Sequence, residues 1–202
     1  MNLNFYDFEY LETELEKLPP LHRIAFAASG CERLLPNYNA FSREENWGDP
    51  SILTKTLDEI WQIIGGKPLN VATIEQLKFD TTSNDIVPHS EDFAGYCGIA
   101  QEACSTIYYT LDACINPTTN TIIKVAEYLA AGIELFQDWN IDMDAPEYIE
   151  IIARHPFAIR EMEKQNEDLQ RLKETETLEA ELLEWLRTTS HNNGKSLIDL
   201  SD

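Results

Sequence analysis

The densest gathering of chemically capable side chains lies between residues 31 and 49. Cys31-Glu32-Arg33-Leu34-Leu35-Pro36-Asn37-Tyr38-Asn39-Ala40-Phe41 is followed closely by Trp47-Gly48-Asp49. Charge, amide, phenol and indole groups collect there around two expected helix junctions. As a binding groove the set is coherent. Arg33 offers a planar fork for a carboxylate or phosphate, and Tyr38 and Trp47 offer walls. Asp92, further along the chain, joins them, and Glu32, Asn37 and Asp49 complete the candidate residues. A structural account competes with that one and is favoured over it. A tight corner between helices consumes just such groups, Glu32 and Arg33 in backbone or carboxylate pairs, Asn37 and Asp49 as caps.

Other chemistry is sought and not found. A two-metal carboxylate bundle needs Glu-x-x-His pairs, and no glutamate precedes a histidine by three residues. His22, His89, His155 and His191 fall in four distant segments, so no metal is expected. Asp142-Met143-Asp144 reads as helix capping. Cys97 and Cys104 would share a helix face, yet buried cysteine more often packs as a small apolar residue. Cys31 and Arg33 are two apart and so face different ways on a helix, which leaves the thiol little activated. Gly65-Gly66-Lys67 lacks the strand, the upstream glycine and the hydroxyl residue of a phosphate loop, and reads as a helix stop. No catalytic residues and no cofactor are nominated.

Charge narrows the partners. Fifteen basic residues against thirty-six acidic ones leave a net charge of −21. Such a surface repels phosphate, which argues against nucleic acid and against an anionic membrane. Solubility is the ordinary reading of the charge, and attraction of a basic partner the sharper one. The start, MNLNFYDFEY, has neither the basic nor the apolar region of a secretory signal. No apolar run approaches the length that a bilayer requires. The four cysteines fit reduced thiols in a cytoplasmic protein.

The elements that position these residues are expected to be helices throughout. At 202 residues the chain is the size of one domain. The first helix is expected over about Phe5 to Lys17 with Asn4 as its cap. The next should run from Pro19-Pro20 to about Leu35, and Pro36 should open a short helix through Tyr38 and Phe41. Asp49-Pro50 starts a helix that Gly65-Gly66 ends, and Asn70 caps one to about Phe79. Asp80 to Ser90 is expected as an exposed loop, and Glu91 to Cys114 as a long helix with apolar residues three and four apart. Asn116-Pro117 caps a helix from Thr118 to about Asp138, apolar nearly all round. Asp144 and Glu147 resemble a capping box, His155-Pro156 breaks that helix, and a long charged helix continues to about Thr189. Residues 191–202 are expected as a loose tail. The fold class is therefore all-α, a compact single-domain bundle of about seven to eight helices with a long charged C-terminal helix.

A resemblance rests on three stretches. The first is Cys31-Glu32-Arg33, Pro36-Asn37-Tyr38, Phe41 and Gly48-Asp49, leading to Leu57 and Trp61. The second is Glu91-Asp92-Phe93 with Tyr96, Ala103 and Cys104; the third is His155-Pro156 with Asn193-Gly194. Over about Leu18 to Gly194 the chain resembles the YjaG-like family of bacterial proteins, known as domain of unknown function 416. Residues 1–17 and the acidic stretch around 80–89 look particular to this chain. The resemblance implies a cytoplasmic, all-helical bacterial protein and carries no reaction with it. The leading functional expectation is a non-enzymatic interaction protein, of the immunity or inhibitor kind, that masks a basic partner. The alternative is a small-molecule-binding protein or enzyme with its pocket near Arg33, Tyr38, Trp47 and Asp92. Self-association through the C-terminal helix, giving a homo-oligomer, is the third.

Overall fold

Two adjacent prolines set the frame of the fold. Pro19-Pro20 ends α1 (Phe8–Glu16) and opens α2 (Pro20–Glu45), a helix of 26 residues around which the rest is built. The computed structural model describes residues 6–136, 142, 145–191 and 195–200. Among these, α3 (Pro50–Ile64), α4 (Val71–Thr81), α5 (Cys97–Ile115), α6 (Thr119–Phe136), α7 (Tyr148–Ala153), α8 (Pro156–Glu174) and α9 (Ala180–Ser190) follow. The fold is all-α, with nine helices among the described residues and no strand.

The core forms where α2 is enclosed by α3, α5, α6, α8 and α9, and where α5 and α6 pair. From Ile24 to Phe41 almost every residue of α2 is buried. Its run of small residues makes that enclosure close. A Cβ on Gly30 would come within 2.8 Å of Leu129 Cδ1, so α2 and α6 pack closely there and a larger residue would make the Leu129 side chain shift.

Most expected boundaries hold, and the exceptions have physical reasons. Pro36 lies inside α2 and does not divide it. An interior proline costs about 3 kcal/mol in an isolated helix, but burial against five neighbouring helices outweighs that. The helix ends ten residues later at Asn46, in the left-handed conformation with φ 51°. α1 is capped by Asp7, whose side chain accepts from the Tyr10 N–H; the expected cap Asn4 lies outside the described residues. Asp49 and Asn70 cap α3 and α4 as read from the sequence.

The long middle helix begins only at Cys97. Glu91 to Tyr96 form turns in which Gly95 adopts φ +60°, a conformation that breaks the helical period. The 80–90 segment is no simple exposed loop. Ile86 and Pro88 are buried, and the Ile86 and Pro88 carbonyls accept from Tyr38 Oη and Gln101 Nε2 at 2.8 and 2.7 Å.

The charged C-terminal helix is two helices. Thr175 is extended (φ −116°, ψ 125°), and the chain turns back so that α9 lies on α2. The apolar residues Leu169, Leu172 and Leu186 are thereby buried within the chain. Nor is the described part of the tail loose. Ser196, Leu197 and Ile198 are buried, and the Leu197 N–H donates to the Arg33 carbonyl at 2.9 Å. Glu147 stands just before α7, not within its first turn. Asp138, Asp144, Asn193 and Gly194 fall outside the described residues. No described helix is long and apolar enough to cross a membrane.

Candidate functional site

Arg33 sits on a helix whose flanks are apolar, so its charge has to be answered by side chains from elsewhere. Two carboxylates of α8 answer it. Arg33 Nε and Nη2 each donate to Glu161 at 2.6 Å, a two-pronged pair, and Nη1 lies 3.4 Å from Asp168 Oδ2. All three residues are buried. Arg33 Nη1 also donates to Ser29 Oγ at 2.9 Å, and Ser29 Oγ in turn donates to Asp168 Oδ2 at 2.7 Å. Ser190 Oγ from α9 lies 2.8 Å from Ser29 Oγ. Gln165 Nε2 donates to Glu161 Oε1 at 2.8 Å, and Lys164 pairs with Asp168.

Two cations thus face two anions in a buried cluster that is neutral as a unit. Burial pushes the Asp168 carboxyl up, with Arg33 and Lys164 pulling it back. Burial likewise pulls the Lys164 ammonium down against the attraction of Asp168. A cavity of about 80 Å³ adjoins the cluster, lined by Arg33, Arg160, Glu161, Lys164, Ser190 and Leu197. That volume holds a few waters and falls short of the 300 Å³ or more of an ordinary ligand site.

Glu32 looks the other way around α2. Its Oε1 accepts from Trp61 Nε1 and Arg187 Nε, both at 2.8 Å, and its Oε2 lies 3.1 Å from His191 Nε2. Arg187 also pairs with Asp58. Helices α2, α3 and α9 are tied together at this one carboxylate.

The remaining candidates lie apart from Arg33. Asn37 is fully buried, and neither its Oδ1 nor its Nδ2 has a hydrogen-bond partner among the described residues, so it caps nothing. The buried Tyr38 donates to the Ile86 carbonyl, and burial raises its pKa. Gly48 presses on that hydroxyl at φ +77°, so a side chain there would be both strained and obstructed. Trp47 joins Phe41 and Phe93 in an aromatic cluster, with ring centres 5.0 to 5.9 Å apart. Asp49 Oδ1 accepts from the Ser51 N–H at 2.9 Å, and these Ser51 hydrogen bonds hold its carboxyl below its usual range. Asp92 is exposed in the turns before α5. Of the expected groove, Tyr38 and Trp47 share the aromatic cluster of Phe41 and Phe93, which Asp92 adjoins in the chain, while Arg33 is committed to Glu161 and Asp168.

Glu161, Lys164, Gln165 and Asp168 are the partners that sequence reasoning did not single out. A signal for them exists. They recur three and four apart along one face of α8, which is the polar stripe a buried arginine needs opposite it.

Larger openings flank α8. One, of about 500 Å³ between α1 and α8, is lined by Tyr10, Glu14, Glu163, Glu167, Lys173 and Glu174 among others. The other, of about 420 Å³, is lined by Arg171, Glu174, Glu179, Glu181, Leu182 and Trp185 with Thr175. A third, of about 330 Å³, lies between α5, α6 and the 82–89 segment. No group of histidine, cysteine, aspartate and glutamate placed to hold a metal ion is found among the described residues.

Comparison with known proteins adds kinship. Residues 10–201 match the family described as "Protein of unknown function (DUF416)". The chain is 26% identical to the uncharacterised protein YjaG of Escherichia coli K12, over 94% of this chain and 95% of that one. It is also 26% identical to YjaG of Salmonella typhimurium, over 95% and 96%. The crystal structure of a DUF416 family protein from Shewanella baltica superposes with a TM-score of 0.81 at 26% identity, covering 94% of this chain and 97% of that chain.

Proposed function

The chain belongs to the DUF416 family, whose description assigns no reaction, and on that premise we propose that it is a non-enzymatic interaction protein that masks a basic partner along α8. One observation carries the reading: the two broad openings beside α8 are both walled by glutamates. Glu14, Glu163, Glu167 and Glu174 line one against a single Lys173, which pairs with Glu14, and Glu174, Glu179 and Glu181 line the other against a single Arg171. All of these glutamates but Glu14 are exposed, so they act on an approaching partner from the outset. With the net charge of −21 behind them, they form a field that speeds association with a basic surface.

The small-molecule alternative draws no support from Arg33, which is committed to Glu161 and Asp168. Self-association through α8 and α9 has less to work with, since Leu169, Leu172 and Leu186 are buried in their own fold. A cytoplasmic setting is part of the reading, supported by bacterial relatives and by four buried free cysteines.

The test is an affinity pull-down from native extract at low and then moderate salt, read by mass spectrometry. It is run with the wild type and with Glu163→Lys/Glu167→Lys/Glu174→Lys. One stoichiometric basic protein, released by salt and lost with the triple variant, is the expected result. Retention of that protein by a correctly folded triple variant, or no basic protein even at low salt, would refute the reading.

A further inference from the structure

The opening between α5, α6 and the 82–89 segment differs in chemistry from those beside α8. Its walls are aromatic: Tyr109 and Tyr128 stack at 5.5 Å and 26°, and Tyr108 meets Tyr109 edge-on at 5.3 Å. Val87, His89 and Ser105 complete the part that bears on ligand choice. We propose that this cleft is a binding site for a small, free organic ammonium ion.

Three observations converge on a cation. The volume of about 330 Å³ suits a compact ligand. The negative faces of tyrosine rings attract positive charge, and the protein already uses one of these rings in that way: Lys78 Nζ stands 5.0 Å from the centre of Tyr108. A carboxylate also waits beside the cleft. Glu102 lies one helical turn before Ser105 on α5 and interacts with Tyr128 of the opposite wall. Its Oε2 is buried without a hydrogen-bond partner among the described residues. Glu134 of α6 adds a second negative charge close enough to act on Glu102.

An anion would meet these carboxylates, and the two lysines beside the rings, Lys78 and Lys124, are already paired with Asp112 and Glu127 at 2.8 and 2.6 Å. A neutral apolar guest would leave Glu102 unanswered. A cation answers both the rings and the carboxylate. The site is separate from the glutamate-walled openings of α8, so this inference and the partner reading stand or fall independently.

Choline chloride and its uncharged isostere 3,3-dimethyl-1-butanol are the probes, titrated calorimetrically into the full chain at pH 8, where Glu102, with its pKa raised to about 7, is mostly ionised. Choline is expected to bind one to one at millimolar concentration or below, and the isostere at least about tenfold more weakly. Glu102→Gln should weaken choline about tenfold without lowering the melting temperature of the unliganded protein. Tyr128→Leu should weaken it as well, with circular dichroism reporting an intact fold. Absence of saturable choline binding, equal binding of the isostere, or an unchanged affinity in Glu102→Gln would each overturn the assignment. Retention of the protein on phosphatidylcholine vesicles would overturn the free-ion assignment in favour of a lipid headgroup.

Discussion

At the scale of single residues the molecule depends on how few charges it buries and how fully it pairs them. Arg33 to Glu161 is a buried fork, and such a pair is costly to break from one side because the other charge stays behind. Arg33→Met should therefore lower stability by about 3–5 kcal/mol in urea unfolding, whereas Arg154→Met, whose pair with Glu150 is exposed, should change it by less than about 1 kcal/mol. Glu102 tests a different property. Burial first, and Glu134 second, raise its pKa from 4.5 to about 7. A raised carboxyl pKa means that the folded chain holds the proton more tightly. The stabilisation is then complete below pH 4.5 and is lost as pH rises through about 7. Glu102→Gln keeps a neutral group throughout, so its melting temperature should overtake that of the wild type between pH 5 and 8. Equal melting curves across that range would count against the assignment. Some of this was legible in the sequence. Asp49 and Asn70 announce themselves as caps because a cap needs only its next three residues. The partner of Arg33 lies 128 residues away, and no local pattern at Arg33 names it.

At the scale of elements, local rules located the starts of α2, α3, α4 and α8, and tertiary packing decided the continuations. Proline is a strong local signal, yet at Pro36 the surrounding helices override it. The break between α8 and α9 has the opposite character. Thr175 to Glu179 contains neither proline nor glycine, so no punctuation marks it. The chain turns there because Leu186 and Ser190 are buried against α2 only if α9 doubles back. The end of the chain follows the same logic, since its order comes from a backbone bond to Arg33 and from Arg160, which donates to the Leu197 carbonyl at 2.5 Å. Leu197→Ala should consequently cost about 2–4 kcal/mol, the range of a buried leucine and far above that of an exposed tail position. An unchanged urea midpoint would show that the terminal segment adds nothing to the fold.

At the scale of the whole molecule, charge and helix work against each other. A net charge of −21 on 202 residues means that the folded chain repels itself. Raising sodium chloride from about 10 mM to 0.5 M shrinks the screening length several-fold and should raise the melting temperature by several degrees. A flat salt response would imply that the acidic residues are already neutralised in pairs. The all-helical class was readable from the spacing of apolar residues because that spacing is a property of every helix. Which residues form a site was not, because Arg33 is committed to carboxylates of α8, while Tyr38 and Trp47 pack with Phe41 and Phe93 instead.

The wide separation of Arg33 from its partners also has a meaning in time. A ribosome adds roughly 5–20 residues each second, so the 128 residues between Arg33 and Glu161 take roughly 6–26 s to appear. Throughout that interval α2 to α6 are already emerging while the guanidinium at their centre has no counter-charge. The nascent chain must hold its future core open to water on one side, and it seals only when the last third is made. Ribosome-bound chains halted at residue 150 should be cut rapidly by protease, and chains completed beyond Leu197 should resist. Synthesis of this protein would then end in a single closing step, dated by the arrival of α8.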